Sequence, residues 1–356
     1  MGASMAIDFS IVNYVKNPQI DWFKNDITSF LASLNAPTIV DIDGIDTSRC
    51  RVIVTLIHGN EPSGLIASHR WLKYLLSHRL NTATNMRFIF ASVEAAQQEP
   101  ILSHRYLKDG KDLNRCFNSG KNTGYFARAN LIEQAIKDVK PEAVVDLHNT
   151  SGYGPAFSVS PSENAEELSL TSLFSQSLVL SKMSLGALME QDFGCPVITI
   201  ECGGRSEQQS HEIAYQGIKQ LSTYNNISEC HHLNVVEVIE QPFRVQIKDT
   251  AELSYSNNKP NTISGVVLKS YIEQLNVGVT CQGRVLGWLD ESDLNNLIML
   301  DTNGNNVVEE YFESREGELT SRHNLRLFMA TSNADIAKSD CLFYAVKSKS
   351  SHMPLG

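Results

Sequence analysis

Short runs of consecutive apolar residues recur along this chain, each ending abruptly in a polar loop, with longer stretches of helical spacing between them. Ile53-Val54-Thr55-Leu56-Ile57 reads as a buried strand. It breaks at His58-Gly59-Asn60-Glu61, and Pro62 is placed to open a helix. Residues 62–78 then carry Leu65, Ala67, Trp71, Leu72 and Leu75 at the helical period. The same grammar predicts strands over 38–42, 51–57, 86–91, 143–147, 156–159 and 196–200. It predicts helices over 125–139, 163–183 and 207–224, and a helical, peripheral segment over 1–35 whose Trp22 and Phe23 pack on the body. Residues 99–124 read as a long polar loop. Strands alternating with helices predict an α/β domain with a mixed, mostly parallel sheet covered by helices.

After about residue 230 the pattern changes to alternating apolar positions with many Gly and Asn turns. His231, His232 and Val235-Val236-Glu237-Val238-Ile239 open this region, and Gly265-Val266-Val267-Leu268, Arg284-Val285-Leu286-Gly287-Trp288 and Leu325-Arg326-Leu327-Phe328-Met329 continue it. A catalytic-type α/β domain over 1–230, a smaller all-β domain over 231–347 and a loose polar tail over 348–356 are therefore expected. At 356 residues the chain is long enough for both. Its formal net charge of −10 argues against nucleic acid or an anionic membrane as partner. An anionic substrate then requires a local Arg cluster. No stretch has the length of a membrane-spanning helix, and residues 1–10 lack the basic-then-apolar order of a signal peptide. The seven cysteines are scattered singly with no Cys-x-x-Cys, which suits a reducing cytoplasm and a metal site without thiolates.

The chemistry sits at the ends of the strands. His58 and Glu61, three residues apart at the carboxyl end of a predicted strand, offer nitrogen and oxygen donors where open α/β sheets bind ligands. About ninety positions later, Ala143-Val144-Val145-Asp146-Leu147-His148-Asn149-Thr150 places another His at a strand end. A lone His there is ordinarily a hydrogen-bonded strand-end residue. Two such ends, one with a Glu at the right offset, make three ligands for one zinc ion per chain and leave a fourth position for water. Cobalt or nickel would fit the same donors. Thr199-Ile200-Glu201-Cys202-Gly203-Gly204-Arg205 is a third strand end, whose Glu201 is a candidate general base. A lone Glu there is otherwise a solvated or capping residue. The long loop holds Arg105 and Arg115, ten positions apart, with Asn114 beside the second. That set suits carboxylates and a developing oxyanion, or it is simply a solvated basic loop.

His-Gly-Asn-Glu-Pro, Asp-Leu-Asn-Arg, Asp-Leu-His-Asn-Thr and the strand-borne Glu followed by x-Gly occur in that order between Val52 and Arg205. In this the sequence resembles the succinylglutamate desuccinylase/aspartoacylase family, a branch of the zinc-carboxypeptidase-like fold. The resemblance implies that His58, Glu61 and His148 hold zinc and that Glu201 is the general base and later the acid. It implies that Arg105 polarises the scissile carbonyl, that Asn114 and Arg115 hold a substrate carboxylate, and that Asp112 orients an Arg or a ligand His. Residues 149–154 are closer to aspartoacylase than to the desuccinylase. The activity implied is zinc-dependent hydrolysis of a small N-acyl amino acid, an amide that bears a carboxylate. A peptide carboxypeptidase and a non-catalytic binding protein on the same fold are the alternatives. The sequence leaves the acyl group, the amino acid and homo-oligomerisation open.

Overall fold

The structure is a computed structural model and describes residues 8–181, 184–227, 235–240, 242–301, 303–339 and 341–348. His231, His232, Cys230, Met183 and the tail beyond residue 348 lie outside the described residues. The chain divides into two compact units, one of Met1–Asn149 with Ala156–Val238, the other of Thr150–Pro155 with Ile239–Gly356.

The first unit is built from β1 (Asn13–Lys16), α1 (Ile27–Ser33), β2 (Thr38–Ile42), β3 (Asp46–Thr55), α2 (Ser63–Ser77), β4 (Thr84–Phe90) and α3 (Val93–Gln97). There follow α4 (Tyr125–Lys137), β5 (Ala143–Thr150), β6 (Phe157–Ser160), α5 (Ala165–Ser172), β7 (Ser177–Leu180), β8 (Val197–Gly204), α6 (Gln208–Thr223) and β9 (Glu237–Glu240). The nine strands form one sheet in the order β1-β2-β4-β3-β5-β8-β6-β7-β9. Its pairs β1/β2, β3/β4, β3/β5 and β6/β7 are parallel, while β2/β4 and β6/β8 are antiparallel. From β3 the chain steps out to β4 and then returns to β5 on the other side of β3. That reversal of strand order opens a crevice at the strands' carboxyl ends, where Thr55 lies beside Leu147.

Alternation along the central strands divides the core. Ile53, Phe88, Val145 and Ile198 join one apolar cluster with Leu65, Leu72 and Ile218 of α2 and α6. Val52, Val54, Ile89 and Val144 point the other way, into a cluster with Ala129, Ile132 and Ile136 of α4. Burial on both faces explains why these strands read as unbroken apolar runs.

Four details differ from the sequence reading. Residues 13–16 form an edge strand rather than a helix, because Tyr14 and Val15 pair with β2. The helix expected over 163–183 stops at Ser172, and Leu178-Val179-Leu180 pair with β6 instead. The strand expected to end at Glu201 runs on to Gly204, so Glu201 lies within β8. Residues 237–240, read as the start of the β-rich region, complete the nine-stranded sheet as its edge.

The second unit holds β10 (Phe243–Ile247), β11 (Leu253–Ser256), β12 (Val266–Lys269), β13 (Val285–Leu289), β14 (Leu297–Ile298) and α7 (Val308–Tyr311). It continues with β15 (Phe312–Arg315), β16 (Glu318–Ser321), β17 (Leu325–Phe328), α8 (Ala334–Ser339) and β18 (Phe343–Lys347). The strands make two sheets, β14-β10-β18-β17 and β11-β12-β13-β16-β15, around a core that includes Val245, Leu286, Phe312 and Phe343. Two short helices accompany them, so the unit is β-rich rather than purely β. Residues 150–155 belong here through their hydrogen bonds. The Glu273 carboxylate accepts the Tyr153 N–H (3.1 Å), and Asn276 Nδ2 donates to the Tyr153 carbonyl (2.7 Å). Among the described residues, no helix is long and apolar enough to cross a membrane.

Candidate metal centre

Strand β3 ends sharply. Leu56, fully buried, takes a positive φ of 55°, turning the chain out of the sheet one residue before Ile57-His58. The end of β4 holds the turn in place: the backbone N–H groups of Ala91 and Ser92 donate to the Thr55 and Leu56 carbonyls, and Ser92 Oγ donates to that of Ile57. The loop then lies so close to α3 that a Cβ at Gly59 would fall 2.5 Å from the Ala96 nitrogen. Pro62 stands at the start of α2, as its fixed φ favours. His58 and Glu61 are thus presented from a rigid loop, and both are buried, at 3% and 5% exposure.

His148 arrives from the neighbouring strand β5 and is also buried. One donor atom from each of His58, Glu61 and His148 lies within 4.8 Å of the other two. Glu61 sits between the rings, with Oε1 2.9 Å from His58 Nδ1 and Oε2 2.7 Å from His148 Nδ1. Each imidazole turns its other nitrogen to a carboxylate: His58 Nε2 to Asp112 (2.9 Å) and His148 Nε2 to Asp146 (2.7 Å). Outer carboxylates of this kind fix the orientation of ligand histidines and raise their basicity. Two imidazoles and one carboxylate, buried and held from behind, fit the donor set of a zinc-type site with an open fourth position.

Charge in the cluster follows from the geometry. Burial opposes ionisation of Glu61, but His58 and His148 outweigh it and hold the carboxyl well below the usual range. Burial likewise opposes protonation of His148, but Asp146 and Glu61 outweigh it and raise that ring well above an ordinary histidine. Asp112 is lowered in the same way, its burial overcome by His58 and Arg105.

Glu201 projects from β8, two strands from β3 in the sheet. Its Oε2 is buried, with no hydrogen-bond partner among the described residues. Burial pushes its carboxyl up to about 7; Glu61 adds to the rise, while His148, His58 and Arg105 oppose it. Glu201 therefore feels both imidazoles, Glu61 and Arg105 together.

Arg105 donates to Glu61 Oε1 (3.0 Å) through Nη1 and to Asp112 Oδ2 through Nε and Nη2 (3.3 and 3.1 Å). Its side chain remains 43% exposed. Asn114 is buried, and its amide oxygen accepts the Leu188 N–H (2.9 Å), which leaves its NH2 group facing elsewhere. Arg115 is exposed and donates to the Asn114 carbonyl (2.7 Å). The structure thus joins His58, Glu61, His148, Asp112 and Arg105 by direct contacts. It places Glu201 within their field and leaves Asn114 and Arg115 on the adjoining turn. The sequence reading missed Asp146. Its signal was the two-residue spacing to His148, which puts both side chains on one face of β5.

Residues 51–224 match the family profile described as Succinylglutamate desuccinylase/Aspartoacylase catalytic domain. Comparison with curated proteins finds no match. Among solved structures, a succinylglutamate desuccinylase from Vibrio cholerae superposes with a TM-score of 0.53 at 13% identity, covering 92% of this chain and 96% of that one. An ectoine utilization protein from Ruegeria pomeroyi, solved with product bound, gives 0.52 at 15% identity over 87% and 85% of the two chains. Murine aminoacylase 3 gives 0.51 at 14% identity over 85% and 96%. At such identities these three likenesses establish the fold. Residues 51–224 of this chain, which carry the ordered motifs, are thus similar to the catalytic domain of the succinylglutamate desuccinylase/aspartoacylase family.

Proposed function

We propose that this protein is a zinc-dependent hydrolase that releases the amine from a small N-acyl amino acid. The observation that carries the proposal is the buried His58–Glu61–His148 cluster, within whose electrostatic field the Glu201 carboxyl is raised to about 7. A divalent ion held by those three residues would supply a Lewis acid and bring a water's pKa from 15.7 to about 7.

The chain's own residues account for the remaining requirements. Glu201 takes the proton of the attacking water as the new C–O bond forms. A base with a pKa near the working pH is suited to that transfer. Arg105, anchored by Asp112 and Glu61, presents a guanidinium N–H to the scissile carbonyl oxygen as negative charge grows there. A preorganised donor of this kind contributes about 3–4 kcal/mol to the transition state. Glu201 then delivers its proton to the amine nitrogen as the C–N bond breaks. The Asn114 NH2 and the exposed Arg115 guanidinium supply donors for a substrate carboxylate. The net charge of −10 makes such local cations necessary for an anionic substrate. The same reading makes the protein cytoplasmic, in keeping with its six described cysteines, all unbonded.

The test is metal analysis of the purified protein, followed by an assay of N-acetyl, N-succinyl and N-formyl amino acids beside short peptides. Bound zinc and amine release in one N-acyl class support the proposal; cleavage confined to peptides replaces it with a carboxypeptidase. Glu201→Gln is expected to keep its metal and lose about 10²–10⁴ in kcat. Full turnover by that variant would end the proposal.

A further inference from the structure

Asn149, the residue after His148, makes three side-chain hydrogen bonds that cross between elements of the site. It is 5% exposed. Its amide oxygen accepts the Ser63 N–H at the start of α2 (3.0 Å). Its amide nitrogen donates one hydrogen to Ser63 Oγ (2.8 Å) and the other to the Gly203 carbonyl (2.9 Å). Its backbone N–H reaches Glu61 Oε2 (3.3 Å). Both amide hydrogens are used, and they join β5 to the first residue of α2 and to the end of β8.

The orientation of this amide is itself set. Ser63 Oγ, which accepts from Asn149, also lies within hydrogen-bond distance of His211 Nδ1 on α6 (2.8 Å). The amide cannot flip without setting its oxygen against the Gly203 carbonyl.

Gly203 lies two residues beyond Glu201 on the same strand and takes a φ of +105°, a conformation that L side chains rarely adopt. No protein group among the described residues bonds Oε2 of Glu201, so the position of that carboxylate rests on its backbone. β6 holds one edge of that backbone through the Phe157–Glu201 pair. The Asn149–Gly203 bond holds the end of the strand, two residues on.

We infer that Asn149 is a positioning residue for Glu201: its side chain fixes the end of β8 against the metal-ligand loop and so sets the distance from the base to the reacting water. This rests on the proposed role of Glu201. A misplacement of about 1 Å at a reacting group costs about 10²-fold in rate.

A double-mutant cycle tests it, using the N-acyl amino acid turned over fastest in the series above. Asn149→Ala is expected to lower kcat by about 10–100-fold, with KM changed less than about threefold and metal content retained. In the Glu201→Gln background the same substitution is expected to cost less than about twofold further, because the group it positions has gone. Losses that multiply, or loss of the metal, would overturn the inference in favour of a merely structural role. If Glu201→Gln alone leaves turnover intact, the proposed mechanism fails instead. A crystal structure of Asn149→Ala then decides the inference, by whether the Glu201 carboxylate has moved relative to His58 and His148. Should that variant not fold, Ser63→Ala goes through the same cycle. It removes one of the amide's three hydrogen bonds and keeps those to the Ser63 N–H and the Gly203 carbonyl, and a loss of about 3–10-fold confined to kcat is expected. An unchanged kcat in Ser63→Ala would count against the inference.

Discussion

His58 and His148 are each gripped from both edges, by Glu61 on one side and by Asp112 or Asp146 on the other. The outer grip is testable one residue at a time. Asp146→Asn removes a negative charge that faces only the back of His148, so metal affinity is expected to fall about 10–100-fold, as chelator competition would read it. The pH profile belongs to Glu201. A general base must be ionised, so activity is expected to fall as pH drops through its pKa. Burial sets that pKa at about 7 and a nearby cation draws it downward, so the acidic limb of kcat/KM should have its midpoint at or below about 7. A limb centred well above 7 would disagree. At this scale the three candidate ligands were legible because each stands where an apolar run breaks. Asp146 was not, since an acidic residue inside such a run gives no hint of its partner until the neighbouring strand is in place.

Elements meet at the site with very little clearance. A Cβ at Gly64, in the first turn of α2, would fall 2.1 Å from Thr55 Oγ1, 2.7 Å from Thr55 Cβ and 3.0 Å from Leu147 Cβ. The helix therefore starts directly over the ends of β3 and β5. Gly64→Ala is expected to destabilise the protein by about 1–3 kcal/mol in urea unfolding and to weaken metal binding, by displacing the loop before it. Unchanged stability would show that α2 can slide. Strand and helix were well separated in the sequence wherever the periodic stretch was long, as in α2 and α6. They were confused where it was short: 177–180 is too brief a run to distinguish from the end of a helix. Glu201 looked like a residue beyond a strand because Gly203-Gly204 resembles a turn, whereas the glycines extend β8 with a twist.

For the molecule as a whole, charge and thiol chemistry set two further expectations. With 40 acidic against 30 basic side chains, binding to duplex DNA should be undetectable at physiological salt by electrophoretic shift. Cys281 is exposed, whereas burial pushes the Cys50 and Cys195 thiols up to about 12. Mass mapping after iodoacetamide at pH 8 should find Cys281 modified and Cys50 and Cys195 spared until the protein is unfolded. The division of the chain was only partly legible. Composition marks the change near residue 230, but nothing in Thr150–Pro155 announces that six residues next to a ligand strand side with the β-rich unit. Their allegiance comes from Glu273 and Asn276, more than a hundred positions away in sequence.

That excursion means the α/β portion is not a cassette that can be cut out whole. A stop codon after residue 240 would leave the backbone of Tyr153 without its two anchors, one short span downstream of His148. The shortened protein would carry an unanchored stretch a few residues after His148 in sequence, however intact its sheet.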